Sequence, residues 1–259
     1  MINYIRSEIY RNLRNKGSYL FILGSMALVV FLNIVLWIFA KNDTSFPYAT
    51  TKYAFSSLYC SLQLIMIMCV LIVSIIFSQE YKNQTLKNTV SFGISRSSIY
   101  FVKFIISIIF SFIAAICVIA TFIISAYILL ENSGIEYLAT LINSIVAGIP
   151  LILFSLVVAH SFYFITEKEM NVVACWAGIV IVIPTLLAMI GRKSEISRAI
   201  ASYMPWNIVG DITFNEVTNT LVLGWITPEA IVKSIVVGVV GCGMFYIIGL
   251  EVFKRKEVK

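Results

Sequence analysis

Charge is what this sequence has least of. Asp, Glu, Lys and Arg make up 12% of its 259 residues, against about 25% in an ordinary water-soluble domain. With 60% hydrophobic residues and a mean hydropathy of +0.95, a soluble globular fold is excluded. Most of the chain has to sit in lipid, where a Lys, Arg or Asp at the centre of a helix costs roughly 2.5–3.5 kcal/mol. Histidine is scarcer still, with His160 alone. Glu167 and Glu169 lie seven or more residues beyond it. A lone histidine on an apolar helix is more often a packed core residue than a catalyst. HExxH, GxSxG and a GxxxxGK[ST] phosphate loop are all absent, so catalysis, nucleotide binding and a resident cofactor or metal are not expected of this chain. The five cysteines (Cys60, Cys69, Cys117, Cys175, Cys242) form no CxxC pair. They read as small apolar fillers, and no disulfide framework or metal site follows.

What is present is a series of apolar runs: Ser18–Ala40, Tyr53–Ser78, Phe104–Leu130, Thr140–Ile165, Asn171–Ile190 and Ala230–Phe253. Each approaches or exceeds the roughly 20 residues that cross a bilayer as a helix. Backbone groups in lipid have no water to bond, so the runs must be helical. The expected fold is an all-α polytopic membrane protein, one transmembrane domain over residues 1–259 with six spans, and Pro150 and Pro184 kinking the fourth and fifth. The middles of the spans hold almost no ionisable residues, which disfavours an ion-coupled carrier. Asn33, Gln63, Ser74, Ser107, Ser111, Ser125, Asn143 and Ser155 either line a path or bond between helices. Gly238, Gly241 and Gly243 permit close helix approach, within the chain or at a dimer face.

The first run is too long for a signal h-region and lacks a convincing cleavage site, so a cleavable signal is not expected. Before it, "MINYIRSEIYRNLRNKG" spaces Ile2, Ile5, Ile9 and Leu13 along one helical stripe, with Arg6, Arg11, Arg14 and Lys16 largely off it. That pattern suits an amphipathic helix lying among headgroups. The net charge of +6 resides at the ends of the apolar runs, which favours anionic lipid over nucleic acid as the partner. With the N-terminus inside, thirteen Lys and Arg fall on the inner side and six on the outer. This assigns both termini, and segment 79–103, to the cytoplasm, and segment 191–229 to the exterior.

The inner segment "SQEYKNQTLKNTVSFGISRSSIYFVK" is too polar for lipid. It reads as two short helical pieces about Gly93, the second N-capped by Ser95. Leu86, Val90 and Ile94 recur every four residues and form a ridge flanked by Lys82, Lys87 and Arg96. Such a ridge, if exposed, invites a partner; folding back on the membrane surface accounts for it equally well.

This segment resembles the connector between spans two and three in permease subunits of type-2 ABC transporters. Glu80 stands at the end of span two, Thr85–Leu86 in a Gly-Thr-Leu-like tripeptide, Ser95–Arg96 as the Ser-Arg pair, and Lys103 at the entry to span three. Gln84 replaces the usual glycine, and the proline often found before the Ser-Arg pair is absent. The amphipathic leader resembles the family's interfacial elbow helix, and segment 191–229 the region where it places short re-entrant helices. Tyr203, Trp206, Phe214 and Trp225 in that segment suit the outer headgroup level.

The resemblance implies separate cytoplasmic ATPase subunits holding ATP and Mg, a coupling helix docking into them, and a second permease, identical or similar. The coupling residues would be Glu80, Lys82, Thr85, Leu86, Lys87, Val90, Ile94, Ser95 and Arg96. It further implies an exporter in a bacterial cell membrane, with a peptide such as an antimicrobial one, a drug or a lipid-like molecule as cargo. A secondary carrier, or a sensor or scaffold without ATP coupling, is the alternative.

Overall fold

The structure is a computed structural model that describes residues 2–43, 46–83, 85–166, 168–215 and 220–256, apart from the side chains of 79–85, 214–215 and 220–222. The chain runs α1 (Ile2–Leu13), α2 (Lys16–Asn42), α3 (Thr51–Cys60), α4 (Gln63–Asn83), α5 (Thr85–Ser91), α6 (Arg96–Leu129) and α7 (Glu136–Ile165). It continues through α8 (Glu169–Ala177), α9 (Ile183–Ile190), α10 (Glu195–Ser202) and α11 (Pro205–Val209) to an antiparallel hairpin, β1 (Ile212–Asn215) with β2 (Thr220–Leu223), and ends in α12 (Pro228–Arg255). The protein is a helical, multi-pass membrane protein. Among the described residues five helical spans are long and apolar enough to cross a bilayer, and α3 with α4 up to Ser78 is apolar and long enough only as a pair, bent by 62°, which makes six if the pair is one span.

That bend departs from the single straight helix expected over residues 53–78. The break contains neither proline nor glycine. Ser61 ends α3 with φ −112° and ψ 25°. Leu62 beside it is 1% exposed, and the Gln63 amide donates to the Trp206 carbonyl at 3.0 Å. Tertiary contacts hold the bend, so no local signal announces it.

Span five also differs from a plain kinked helix. Between α8 and α9 the backbone widens into a π-helical stretch, Gly178–Val182. Pro184 follows at once, and its ring cannot accept the carbonyl of Val180 in ordinary α geometry. The wider turn accommodates it. In span four α7 continues through Pro150, and α12 presents Gly238 there. A Cβ on Gly238 would lie 2.6 Å from Pro150 Cβ and 2.7 Å from its carbonyl. Gly241 meets the Phe154 ring in the same way, whereas Gly243 faces open space. The two glycines therefore serve packing inside the chain.

Helix α7 is the hub: 56% of its most apolar stretch is buried, against 6% in α2, which offers a nearly continuous apolar surface outward. The α2 contact with α6 is fastened by Asn33, whose amide donates to Phe122 O at 3.2 Å and Ser125 Oγ at 2.7 Å. Ser155 Oγ donates to Met66 O and accepts from the Trp176 indole, both at 3.0 Å. Asn33, Gln63, Ser125 and Ser155 thus act as ties between elements, and Asn143 is exposed.

Segment 191–229 folds as two short helices, the hairpin and a turn of 3-10 helix. Asn207 joins them to span five, its amide donating to Pro184 O and Ala201 O at 2.9 Å. Helices of 8 and 5 residues cap the bundle and are too short to enter it far. Tyr203 is exposed, as a headgroup-level aromatic should be. Trp225 is instead 1% exposed, its ring edge packed beside Gly148 of α7. The side chain of Phe214 lies outside the described residues.

Candidate functional site

One end of the bundle gathers α1, α5 and the ends of α4, α6, α7 and α12, so residues 79–103 share a face with both terminal helices. Helix α4 runs on to Asn83, and the connector's own helix, α5, is only seven residues long. It closes through Gly93 at φ +80°, a conformation side-chain-bearing residues avoid. Ser95 Oγ then accepts the Ser98 amide at 3.2 Å as the N-cap. The second piece is no separate helix but the first turns of the 34-residue α6. At 1.5 Å per residue α6 is about 51 Å long, well beyond the roughly 30 Å of a hydrocarbon core.

The ridge does not stand free. Leu86, Val90 and Ile94 are half-buried and pack against the protein's own core. The open side of the connector carries Lys87, Asn88, Ser91 and, above all, Phe92, 83% exposed at the turn. The side chains of Glu80, Lys82 and Thr85 lie outside the described residues. Between the connector and α1 runs a groove of about 420 Å³, bounded by Asn3, Ser7, Arg11, Thr89 and Phe92.

Arg96 turns inward. Its guanidinium donates to the carbonyls of Phe253 (3.2 Å), Lys254 (2.7 Å) and Lys256 (2.6 Å), all at the end of α12. The last carbonyls of a helix have no partners within it and carry its negative dipole end, so a cation there satisfies both. Lys256 in turn donates to Ile165 O, the end of α7, at 3.2 Å. The Ser95–Arg96 pair thus performs two jobs: Ser95 caps the start of α6, and Arg96 clamps that start to the end of α12.

Lys103 is 1% exposed and donates to Glu8 Oε2 at 3.0 Å. Arg11 bonds the same oxygen at 2.6 Å. A second face of α1, Tyr4–Glu8–Asn12, is therefore the one buried against the bundle. The expected stripe mostly points away: Ile2 is 68% and Leu13 52% exposed, with Ile9 also open and Ile5 half-buried. Glu8 went unselected in the sequence, although it is the one acid among the first 17 residues and shares a four-residue period with Tyr4 and Asn12. Nearby, His160 is fully buried among the rings of Tyr100 (4.7 Å), Phe164 (5.1 Å), Phe104 (5.4 Å) and Phe77 (5.6 Å). It packs as an aromatic.

The bundle therefore has a connector hairpin wedged between its first and last helices, and a protruding long helix beyond it. No curated protein matches the chain. The family model described as ABC-2 family transporter protein matches residues 4–185, more than two thirds of the chain, from α1 into α9. With its multi-pass helical architecture, the chain belongs to that family and is a permease of a type-2 ABC transporter.

Proposed function

We propose that this permease is driven by separate cytoplasmic ATPase subunits that seat on the face formed by the connector, α1 and the end of α12. The observation that carries this reading is the connector itself. It is a short helix and glycine turn backed by the protein's own core, clamped by Arg96 and offering Phe92 outward. An apolar ring at the tip of a rigid polar hairpin suits insertion into a groove on a partner.

The clamp suits transmission of force. A push on the connector reaches α6 directly through Ser95, α12 through Arg96, and α7 through the Gly238–Pro150 contact. α1 is tied to α6 by the Glu8–Lys103 pair, and its outward Ile2, Ile9 and Leu13 suit a helix lying at the inner headgroup level. ATP and Mg belong to the partner subunits, and this chain supplies no catalysis. The outward apolar face of α2 leaves room for a second permease or for lipid. Both termini face the cytoplasm of a bacterial cell membrane, and the cargo leaving the cell is a peptide, drug or lipid-like molecule.

Co-purification with the cognate ATPase subunit tests the docking. Phe92→Asp releases the ATPase while leaving the melting temperature of the permease unchanged. Leu86→Asp lowers that temperature as well, because Leu86 is packed inward. ATPase retention by Phe92→Asp at the wild-type level rejects the assignment.

A further inference from the structure

The opposite end of the bundle holds an open cavity of about 660 Å³ between α9, α10, α11 and α12. Its lining carries three cations, Arg192, Arg198 and Lys233, and one acid, Asp211. Only Gln63 and Thr185 of the lining fall within the residues matched by the family model.

The three cations are not consumed by carboxylates. Among the described residues, no ion pair joins Arg192, Arg198 or Lys233 to an acidic side chain. Arg198 is held by its inner nitrogen, Nε donating to Gly191 O at 3.0 Å, which leaves its outer Nη groups for a ligand. A side chain on Gly191 would meet the Arg198 backbone at 2.9 Å, so the glycine allows α10 to approach α9 closely enough for that bond. Lys233 places its ammonium 4.3 Å from the centre of the Tyr203 ring, a contact that orients the group and leaves its charge in place. Glu195 and Glu229 stand on α10 and α12 but outside the lining. The cavity therefore carries an excess of two positive charges.

Its lining also includes the apolar Ala188, Met189, Ala230 and Trp225. It lies where span five ends and span six begins, the depth at which headgroups sit on that side of a bilayer. Two arginines and an ammonium sharing one cavity with apolar side chains match a phosphate joined to hydrocarbon.

We propose that this cavity binds the phosphate of an amphiphile, with Arg192, Arg198 and Lys233 holding the anion and Met189 and Ala230 flanking the first part of the tail. The inference does not rest on ATP coupling, because binding is read on the permease alone and ATPase co-purification is scored separately. Either can fail without the other.

The test uses the full chain in a neutral maltoside detergent, with bound lipid read by native mass spectrometry and free phosphate by equilibrium dialysis. The probes are phosphatidylglycerol, diacylglycerol without phosphate, and inorganic phosphate without tails. Phosphatidylglycerol is retained and diacylglycerol is not. The Arg192→Gln/Lys233→Gln variant binds it at least about tenfold more weakly, while Arg192→Lys/Lys233→Arg, which keeps the charge, stays within about threefold of wild type. Matching melting temperatures show that both variants are folded. Saturable binding of inorganic phosphate with the same sensitivity to substitution identifies a free-phosphate site and supports the anion chemistry. Equal retention of phosphatidylglycerol and diacylglycerol, or an unchanged affinity in the glutamine variant, overturns the proposal.

Discussion

At Glu8 two cations converge on one carboxylate oxygen, Lys103 from another helix and Arg11 from the next turn of its own. Lys103 and Glu8 are 1% and 5% exposed at their side chains, so neither is well solvated, and removing the carboxylate takes a counter-charge from two cations at once. Breaking a buried ion pair by removing one member typically costs about 3–5 kcal/mol. Glu8→Gln should therefore lower the thermal midpoint of the detergent-solubilised protein markedly. The exposed pair between Lys254 and Glu251, 2.7 Å apart, gives the contrast: solvent screens it, and Glu251→Gln should leave the midpoint where it was. Equal effects of the two substitutions would show that burial is not what makes the Glu8 pair matter.

Helices α7 and α12 meet along a seam that depends on missing side chains. A methyl group at Gly238 would collide with the backbone of Pro150, and backbone cannot step aside as the end of a side chain can. Gly238→Ala should destabilise by about 1–3 kcal/mol through overpacking. Gly243→Ala, where a Cβ meets nothing within 4 Å, should be neutral or slightly stabilising, since alanine is the better helix former. Unfolding in a denaturing detergent series distinguishes them, and a neutral Gly238→Ala would mean that the seam is looser than described. The clamp is a second element-scale feature. Arg96→Gln keeps an amide donor but cannot span three carbonyls, so the start of α6 should uncouple from the end of α12. In a reconstituted complex, the expected signature is ATPase binding close to wild type with ATP-dependent transport lost. Binding and transport declining together would make Arg96 a docking residue instead.

For the molecule as a whole, the question is which end faces the cytoplasm. The connector, α1 and the end of α12 occupy one end, and the basic cavity occupies the other. The count of thirteen Lys and Arg against six favours the connector end as cytoplasmic. Single cysteines placed at exposed Phe92 and exposed Tyr203, in a chain whose five native cysteines are replaced, report this directly. A membrane-impermeant thiol reagent should label Tyr203→Cys in intact cells and Phe92→Cys only in inside-out vesicles. The reverse pattern would invert the orientation and detach the ATPase reading from this face. With the connector end inside, the cavity meets the outer leaflet, where cations held by spans of low charge density attract anionic headgroups more strongly than an open surface would.

The sequence by itself determined the solvent of this protein, its series of long apolar helices and the capping of α6 by Ser95. Each of these depends on composition or on residues within a turn or two of one another, where periodicity and hydrogen-bond reach suffice. Only the tertiary structure decided that the ridge of Leu86, Val90 and Ile94 turns inward and leaves Phe92 exposed, that Arg96 clamps α12, and that span two breaks without a helix breaker. It also selected Glu8, which pairs with a residue 95 positions away, as Arg96 pairs with one 157 positions away. Contacts at such separations are fixed by which helix faces meet across the bundle. In lipid that choice rests on small residues and scattered polar ties, such as Gly238 and Asn33, because an apolar face by itself does not say which of several equally apolar neighbours will cover it.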